Sequence, residues 1–433
     1  MEKTNRLSNR LQDAAEQALA LMRAQGFDQA QVSASAVVQD ELNIAHNHAS
    51  LMRSTESQKL SLLGLIDGRK ASTELTEFGV EGLRERIASL FADASGAPQD
   101  AANAVSSGQR ANIVQGPQQG DVGQLADTVA ELLAFRERET PLMMLDEGAA
   151  AHLLAQSHTV TSEGSELSCS LGWYSLSAFG TAREGKQSSS FNYAGGNTDD
   201  LRALPAAEHF GIGEMLRDTS QQIHTRPIDG NFVGEVLLTP PAVADLLAWL
   251  QGQLSDMQLI NGSSLYRDQV GAQIASPHLS LRSRFDAPGV AAISGDAFAT
   301  PPLEVLREGR LLTLTPSLYA SRKTGLPHVP VAGSGWEIAA GQTSRAELLG
   351  AMPRGAVVGR LSMGNPAPNG DFSGVIKNSF GVQDGLIGPA LSEVMITGNI
   401  ATMLREVRAV SRERIDTGAL LLPWLRIAGL HFS

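Results

Sequence analysis

Apolar residues recur at helical spacing through Leu7, Leu11, Ala14, Ala15, Ala18 and Met22, and Gly26 stands where such a helix would close. Beyond Gly26 the period shortens to two. Residues 31–38, 42–47, 51–56 and 59–66 read as strands, and Asp67-Gly68 is a hairpin turn into a strand at 69–73. Helical spacing returns with Val80, Leu83, Ile87, Leu90 and Phe91 on one side of a second helix. Helix, meander and helix make an α+β unit. Residues 95–120 are poor in large apolar groups and read as an exposed loop or linker. A third helix is expected at about 124–136, ahead of a strand-rich stretch at 163–192.

The pattern changes near Asp229-Gly230. A strand is expected at 234–238, followed by Thr239 as the cap of a helix that opens on Pro240-Pro241. Val243, Leu246, Leu247, Leu250, Leu254 and Met257 form its apolar stripe. The rest is mostly short β segments and turns. In residues 361–410, strands alternate around Gln383-Asp384-Gly385 and Gly388-Pro389. Asn399 then caps a helix at 400–410 with Ile400, Met403, Leu404 and Val407 on one face. The fold class read from this is α+β. An N-terminal domain with a helix–β-meander–helix outline covers residues 1–229, and a β-rich, barrel- or sandwich-like C-terminal domain with one buried helix covers 230–433.

A length of 433 residues favours two cores over one, and 42% hydrophobic residues suffice to fill both. The formal net charge of -12 argues against nucleic acid as a partner, because phosphate binding wants a basic face. A single cysteine, Cys169, rules out an intrachain disulfide and suits a reducing compartment. The N-terminal stretch has no apolar core of a secretory signal. The late apolar run at 419–425, ended by Arg426, is far shorter than the roughly 20 residues of a membrane span. A cytoplasmic protein with no membrane contact is expected.

Little in the chain carries chemistry by spacing alone. His46 and His48 lie two apart on an expected strand and so share a face, which is read as an exposed strand face. His152 and His158 have no carboxylate motif beside them and are read as surface or loop residues, while His278 and His328 lie near turns as candidates to face a cleft. Residues 180–186 (GTAREGK) mimic the start of a phosphate-binding loop. Gln187 replaces the Ser or Thr that would hold magnesium, so a hairpin loop is expected. Tyr319, Arg322 and Lys323 beside Gly325, together with Tyr266 and Arg267, are the candidates for a groove that receives a peptide carbonyl or carboxylate.

Residues 361–410 (LSMGNPAPNGDFSGVIKNSFGVQDGLIGPALSEVMITGNIATMLREVRAV) resemble the C-terminal hallmark of the TldD/PmbA family. These are the metalloprotease-related proteins of peptidase group U62, also labelled modulators of DNA gyrase. Residues 263–271 (SSLYRDQVG), 307–327 (REGRLLTLTPSLYASRKTGLP) and 416–429 (DTGALLLPWLRIAG) resemble its PmbA/TldE branch. In the TldD branch the helix answering to 240–258 carries HExxxH, two histidines for zinc and a glutamate as general base. Here that helix reads PPAVADLLAWLQGQLSDMQ, with no His, Cys or Glu, and its carboxylates Asp245 and Asp256 are too far apart for one helix face. Thr417 stands where a further cysteine completes the zinc site in that branch.

The resemblance therefore implies a non-catalytic, TldE-like subunit of a heteromeric metalloprotease, with no catalytic residue, metal ligand or cofactor in this chain. A TldD-like partner subunit would bring the zinc. The pair would act on unfolded or extended peptides, removing leader segments and degrading small unstable proteins. Two other readings stay open: a homodimeric metallopeptidase using ligands such as His278 and His328, and a non-proteolytic, protein-binding modulator.

Overall fold

The computed structural model describes residues 2–76, 79–333, 335–392 and 394–433. Helix α1 (Glu2–Gln25) buries Leu11, Ala15, Ala18 and Met22. It ends at Gly26, whose φ of 102° lets the Phe27 N–H reach back to the Met22 carbonyl at 3.3 Å. Strand β1 (Gln29–Ala45) then runs unbroken where two strands were expected. Its register against β2 (His48–Ile66) shifts between Leu42 and Ile44, and this irregularity lets one long strand stay paired. His46 and Asn47, at φ 50° and 65°, form the turn between them. His46 therefore leaves the strand and shares no strand face with His48, contrary to the sequence reading.

Asp67 and Gly68, both left-handed, make the expected turn into β3 (Arg69–Leu75). Helix α2 (Val80–Gly96) adds Leu83, Ile87 and Leu90 to the core under α1. The stretch read as a linker holds β4 (Arg110–Gln115), an element that depends on parallel pairing with a distant strand. Asp121 caps α3 (Val122–Glu139) by accepting from the Gly123 N–H at 2.9 Å. β5 (Met143–Thr161) and β6 (Glu166–Glu184) form a long antiparallel pair, followed by β7 (Gln187–Ser188), β8 (Asn192–Thr198) and α4 (Ile212–Ser220). The first sheet has the order β3-β2-β1-β5-β6-β4, and β7 and β8 take the far half of β6. Residues 180–186 sit at the β6–β7 hairpin, as expected. His152 and His158 are not surface residues. Both lie on the interior strand β5, covered by α1 and α3, and are 4% exposed.

In the second half, β9 (Phe232–Leu238) feeds α5 (Pro240–Leu254) and the short α6 (Asp256–Ile260). Extended Ser255 splits what reads as one helix, which leaves Met257 exposed beyond the buried stripe of Val243, Leu246, Leu247, Leu250 and Leu254. Thr239 makes no side-chain cap bond. Its hydroxyl instead donates to the Gly359 carbonyl at 2.8 Å. Then follow β10 (Leu281–Ser283), β11 (Glu304–Arg307), β12 (Arg310–Leu311), α7 (Leu318–Thr324), β13 (Trp336–Ile338) and α8 (Arg345–Gly350). β14 (Arg354–Val358), β15 (Arg360–Ser362), β16 (Asp371–Lys377), β17 (Phe380–Gln383), β18 (Leu386–Ala390) and β19 (Met395–Asn399) follow where the turn signals predict a meander. Only β15–β16 and β17–β18 pair as chain neighbours, while β14 pairs β17 and β16 pairs β19. Asp384 and Gly385 at φ 49° and 76° turn β17 into β18.

Asn399 caps α9 (Ile400–Arg405), accepting from the Thr402 N–H at 3.0 Å. α9 is shorter than the expected 400–410, because Val407 opens β20 (Val407–Asp416) and pairs with Ile427 of β21 (Leu420–Phe432). The second sheet runs β12-β11-β10-β13-β21-β9-β14-β17-β18, and β21 also pairs β19 and β20. It is mixed, with β13–β21 and β9–β14 parallel. It is not a closed barrel, and five helices rather than one accompany it among the described residues. The molecule is α+β, built on two sheets.

Ile427 is fully buried between β9 and β20, paired with Val236 and Val407. Ile427→Ala is expected to cost about 2–5 kcal/mol in urea unfolding, as cavity-forming truncations in packed cores do.

Candidate functional site

Tyr319, Arg322 and Lys323 share one face of α7 at i, i+3 and i+4. That face meets the segment after α2. The Tyr319 hydroxyl donates to Asp100 Oδ2 at 2.8 Å, Lys323 Nζ donates to the same oxygen at 2.7 Å, and Arg322 Nη2 donates to the Ala101 carbonyl at 3.0 Å. The Lys323 ammonium, the Ala102 N–H and the Tyr319 hydroxyl hold the Asp100 carboxyl down to about 2. The three expected groove residues thus clasp the second half of the chain to the first. Tyr319 also borders a cavity of about 390 Å³ with Lys70, Asp256 and Asp296.

The other two candidates point elsewhere. Tyr266 is 2% exposed in the main core of the second half, and burial pushes its hydroxyl up to about 12. Arg267 Nη1 donates to the Leu259 carbonyl at 3.1 Å. Tyr266 therefore offers no face to a peptide. His328 is engaged by Asp296, Nε2 to Oδ2 at 3.0 Å, and His278 is exposed. Among the described residues, neither belongs to a group of three or more metal-ligating side chains.

A different cleft forms where α5 meets the 416–420 segment. The first turns of α5 present Pro240, Pro241, Ala244 and Asp245 to Thr417, Leu420 and Leu422, while Tyr193, Ala194 and Gly195 of β8 close the side, around about 260 Å³. A neighbouring cavity of about 480 Å³ shares Tyr193, Pro241, Asp245 and Arg360 with it and extends to Phe191 and Lys377. The Arg360 guanidinium lies 4.9 Å from the Phe191 ring and 4.7 Å from the Tyr193 ring. Both rings are about half exposed, so a flat aromatic and cationic surface faces solvent. Asp245 lies beneath it. Burial pushes its carboxyl up to about 6, against the opposing pull of the Leu361 N–H and the Arg360 charge. The arrangement can hold an anionic or carbonyl group against Arg360 and Lys377, and Asp245 can exchange a proton near neutral pH.

Asp100 and Arg360 were not legible as site residues. Asp100 lies in the stretch read as a linker, and Arg360 acquires its role only because β15 packs beside the loop around Phe191.

Residues 232–433 match the PmbA/TldA metallopeptidase C-terminal domain. This part of the chain is therefore a PmbA/TldD-family domain. Metalloprotease PmbA of Escherichia coli O157:H7 is 28% identical over 213 residues, 45% of this chain and 45% of that protein. The Metalloprotease PmbA homolog of Haemophilus influenzae is 26% identical over 235 residues, 50% of this chain and 49% of its own length. The chain thus spans about half the length of the curated relatives it matches. Its structure superposes on TldE from Thermococcus kodakarensis with a TM-score of 0.81, covering 97% of this chain and 100% of that one at 17% identity. A protein from Bacteroides thetaiotaomicron named as a modulator of DNA gyrase gives 0.82 over 98% of both chains at 19% identity. At these identities the structural likeness is one of fold. Within the matched domain, α5 and the 416–420 segment meet at one cavity, so Asp245 and Thr417 border the same space.

Two pH effects follow, of opposite sign. Asp245 titrates higher folded than the ordinary carboxylate value of about 4, so stability falls as pH rises from about 4 to about 6 and then levels. Asp245→Asn is expected to flatten that decline in urea titrations and to be the more stable form at pH 7.5. Asp100 titrates lower folded, so its contribution is complete above about pH 4 and is lost as pH falls towards 2. Asp100→Asn is expected to abolish this acid-side dependence.

Proposed function

We propose that this chain is the TldE-like, non-catalytic subunit of a heteromeric zinc metalloprotease acting on unfolded or extended peptides. The observation that carries this reading is the lining of the α5 cavity. The helix and the segment that hold zinc in the TldD branch face one space here, and their side chains on it are Pro240, Pro241, Ala244, Asp245, Thr417, Leu420 and Leu422. That set has one carboxylate and no imidazole or thiolate, which falls short of the three protein ligands a catalytic zinc wants. The zinc and the general base would come from a TldD-like partner, and this subunit would contribute walls and peptide-binding surface.

Two surfaces support a peptide role. Among the described residues β3 pairs only residues 60–66 of β2, so the earlier part of β2 has an open edge there, with Leu51 and Met52 exposed. Such an edge can add an extended peptide by main-chain hydrogen bonds, which favours unfolded chains over any one sequence. The Arg360–Tyr193–Phe191 surface and Lys377 suit a peptide carboxylate or carbonyl. Leader segments and small unstable proteins are the substrate classes proposed. Cys169 is buried and its thiol is pushed up to about 11, so it stays protonated and fits no thiol chemistry. No helix among the described residues is long and apolar enough to cross a membrane, and a cytoplasmic location is part of this proposal.

The test is a peptidase assay on an unfolded peptide, with the chain alone and then mixed with a TldD-like protein. The expected outcome is no cleavage alone, and cleavage on mixing that exceeds the partner's own rate. Cleavage by the isolated chain that a chelator abolishes would move the assignment to a self-sufficient peptidase. Binding without any gain in cleavage would favour a non-proteolytic modulator.

A further inference from the structure

His158 of β5 stands opposite Ser168 of β6, and Val160 stands opposite Glu166, so His158 and Glu166 are diagonal neighbours on one face of the first sheet. α1 lies across that face and packs Leu11 and Ala15 into the core that holds Val160. Glu16 comes from the same helix. One ligand atom from each of Glu16, His158 and Glu166 lies within 4.8 Å of the others.

The histidine marks this cluster out from an ordinary group of surface charges. Its side chain is 4% exposed, and its Nδ1 is 2.9 Å from Ser168 Oγ. Its Nε2 is buried and has no hydrogen-bond partner among the described residues. A buried ring nitrogen left unpaired is costly, and the ordinary reasons for tolerating one are a ligand or a water. Ser168 holds the ring in the way a supporting group orients a ligating histidine, leaving the second nitrogen's lone pair for an ion. Burial also keeps the ring's pKa below its ordinary value, despite the nearby Glu166 and Glu16. Beside the cluster, Arg110 pairs with Glu166, and Gln12 Nε2 donates to Glu16 Oε1 at 2.9 Å.

We propose that Glu16, His158 and Glu166 form a binding site for a divalent transition metal, zinc being the cation that one imidazole and two carboxylates suit best. Three protein ligands leave a position for water, and the ion ties α1 to the β5–β6 pair. The site is separate from the α5 cleft, because β8, which borders that cleft, pairs with residues 174–180 at the other end of β6. It is independent of the proposed protease role.

The test is calorimetric titration of the chelator-stripped full chain with zinc chloride, with the thermal unfolding midpoint read in parallel. One equivalent is expected to bind and to raise the midpoint. Glu16→Gln changes an exposed helix side chain and is expected to fold normally, with affinity lowered about tenfold or more and the zinc-induced shift reduced. His158→Gln is expected to abolish binding. Absence of uptake by the parent chain, or undiminished affinity in Glu16→Gln, would overturn the assignment even if His158→Gln fails to fold.

Discussion

The pairing of β21 with four other strands is the constraint on which the second half of the molecule rests. β21 lies antiparallel to β9, β19 and β20 and parallel to β13. Between β9 and β21, Arg426 grips Glu235 with both Nε and Nη2, at 2.7 and 3.2 Å, and both side chains are mostly buried. An ion pair so placed rewards one register and penalises its neighbours, since a slip would strand both charges. Packing is equally strict one strand further out. A Cβ on Gly355 of β14 would lie 1.8 Å from the Glu235 carbonyl, so only glycine allows β14 to approach β9 there.

The candidate cleft inherits its geometry from that pairing. α5 starts where β9 ends, and Thr417 lies just before β21, its N–H bonded to the Leu420 carbonyl at 2.8 Å. Aligning β9 with β21 therefore sets the first turns of α5 against the 416–420 segment. No loop has to be positioned independently. The first sheet supplies the remaining wall through β8, and the Asn197 N–H donates to the Thr417 carbonyl at 3.1 Å, so the two sheets meet beside the cleft.

Elements whose stability is local were legible in the sequence. The stripes of α1 and α5, the Asp67-Gly68 and Asp384-Gly385 turns and the Asn399 cap all depend on neighbours within a few residues. Elements made by distant partners were not. β4 exists because residues 110–115 find β6 some fifty residues on, and the expected helix at 400–410 stops early because Val407 pairs with Ile427. The candidate site shows the same division. That α5 carries no His, Cys or Glu, and that Thr417 is not a cysteine, could be read directly. The engagement of Tyr319, Arg322 and Lys323 could not, because Asp100 and Ala101 lie more than two hundred residues away in a stretch with the composition of a loop. Burial of His152 and His158 was hidden too, since the interior position of β5 follows from sheet order and not from local pattern.

The placement of β21 also governs the order of events during synthesis. β9 emerges almost two hundred residues before the strand that completes it, and β13 more than eighty before. Until residue 432 clears the ribosome, both present unpaired backbone and apolar side chains, and loop closure over such separations is slow. The first sheet has no such wait, because each of its strands finds a partner within the first two hundred residues. A nascent chain therefore carries one finished half and one half held open, and that open interval is where a chaperone would have most to do.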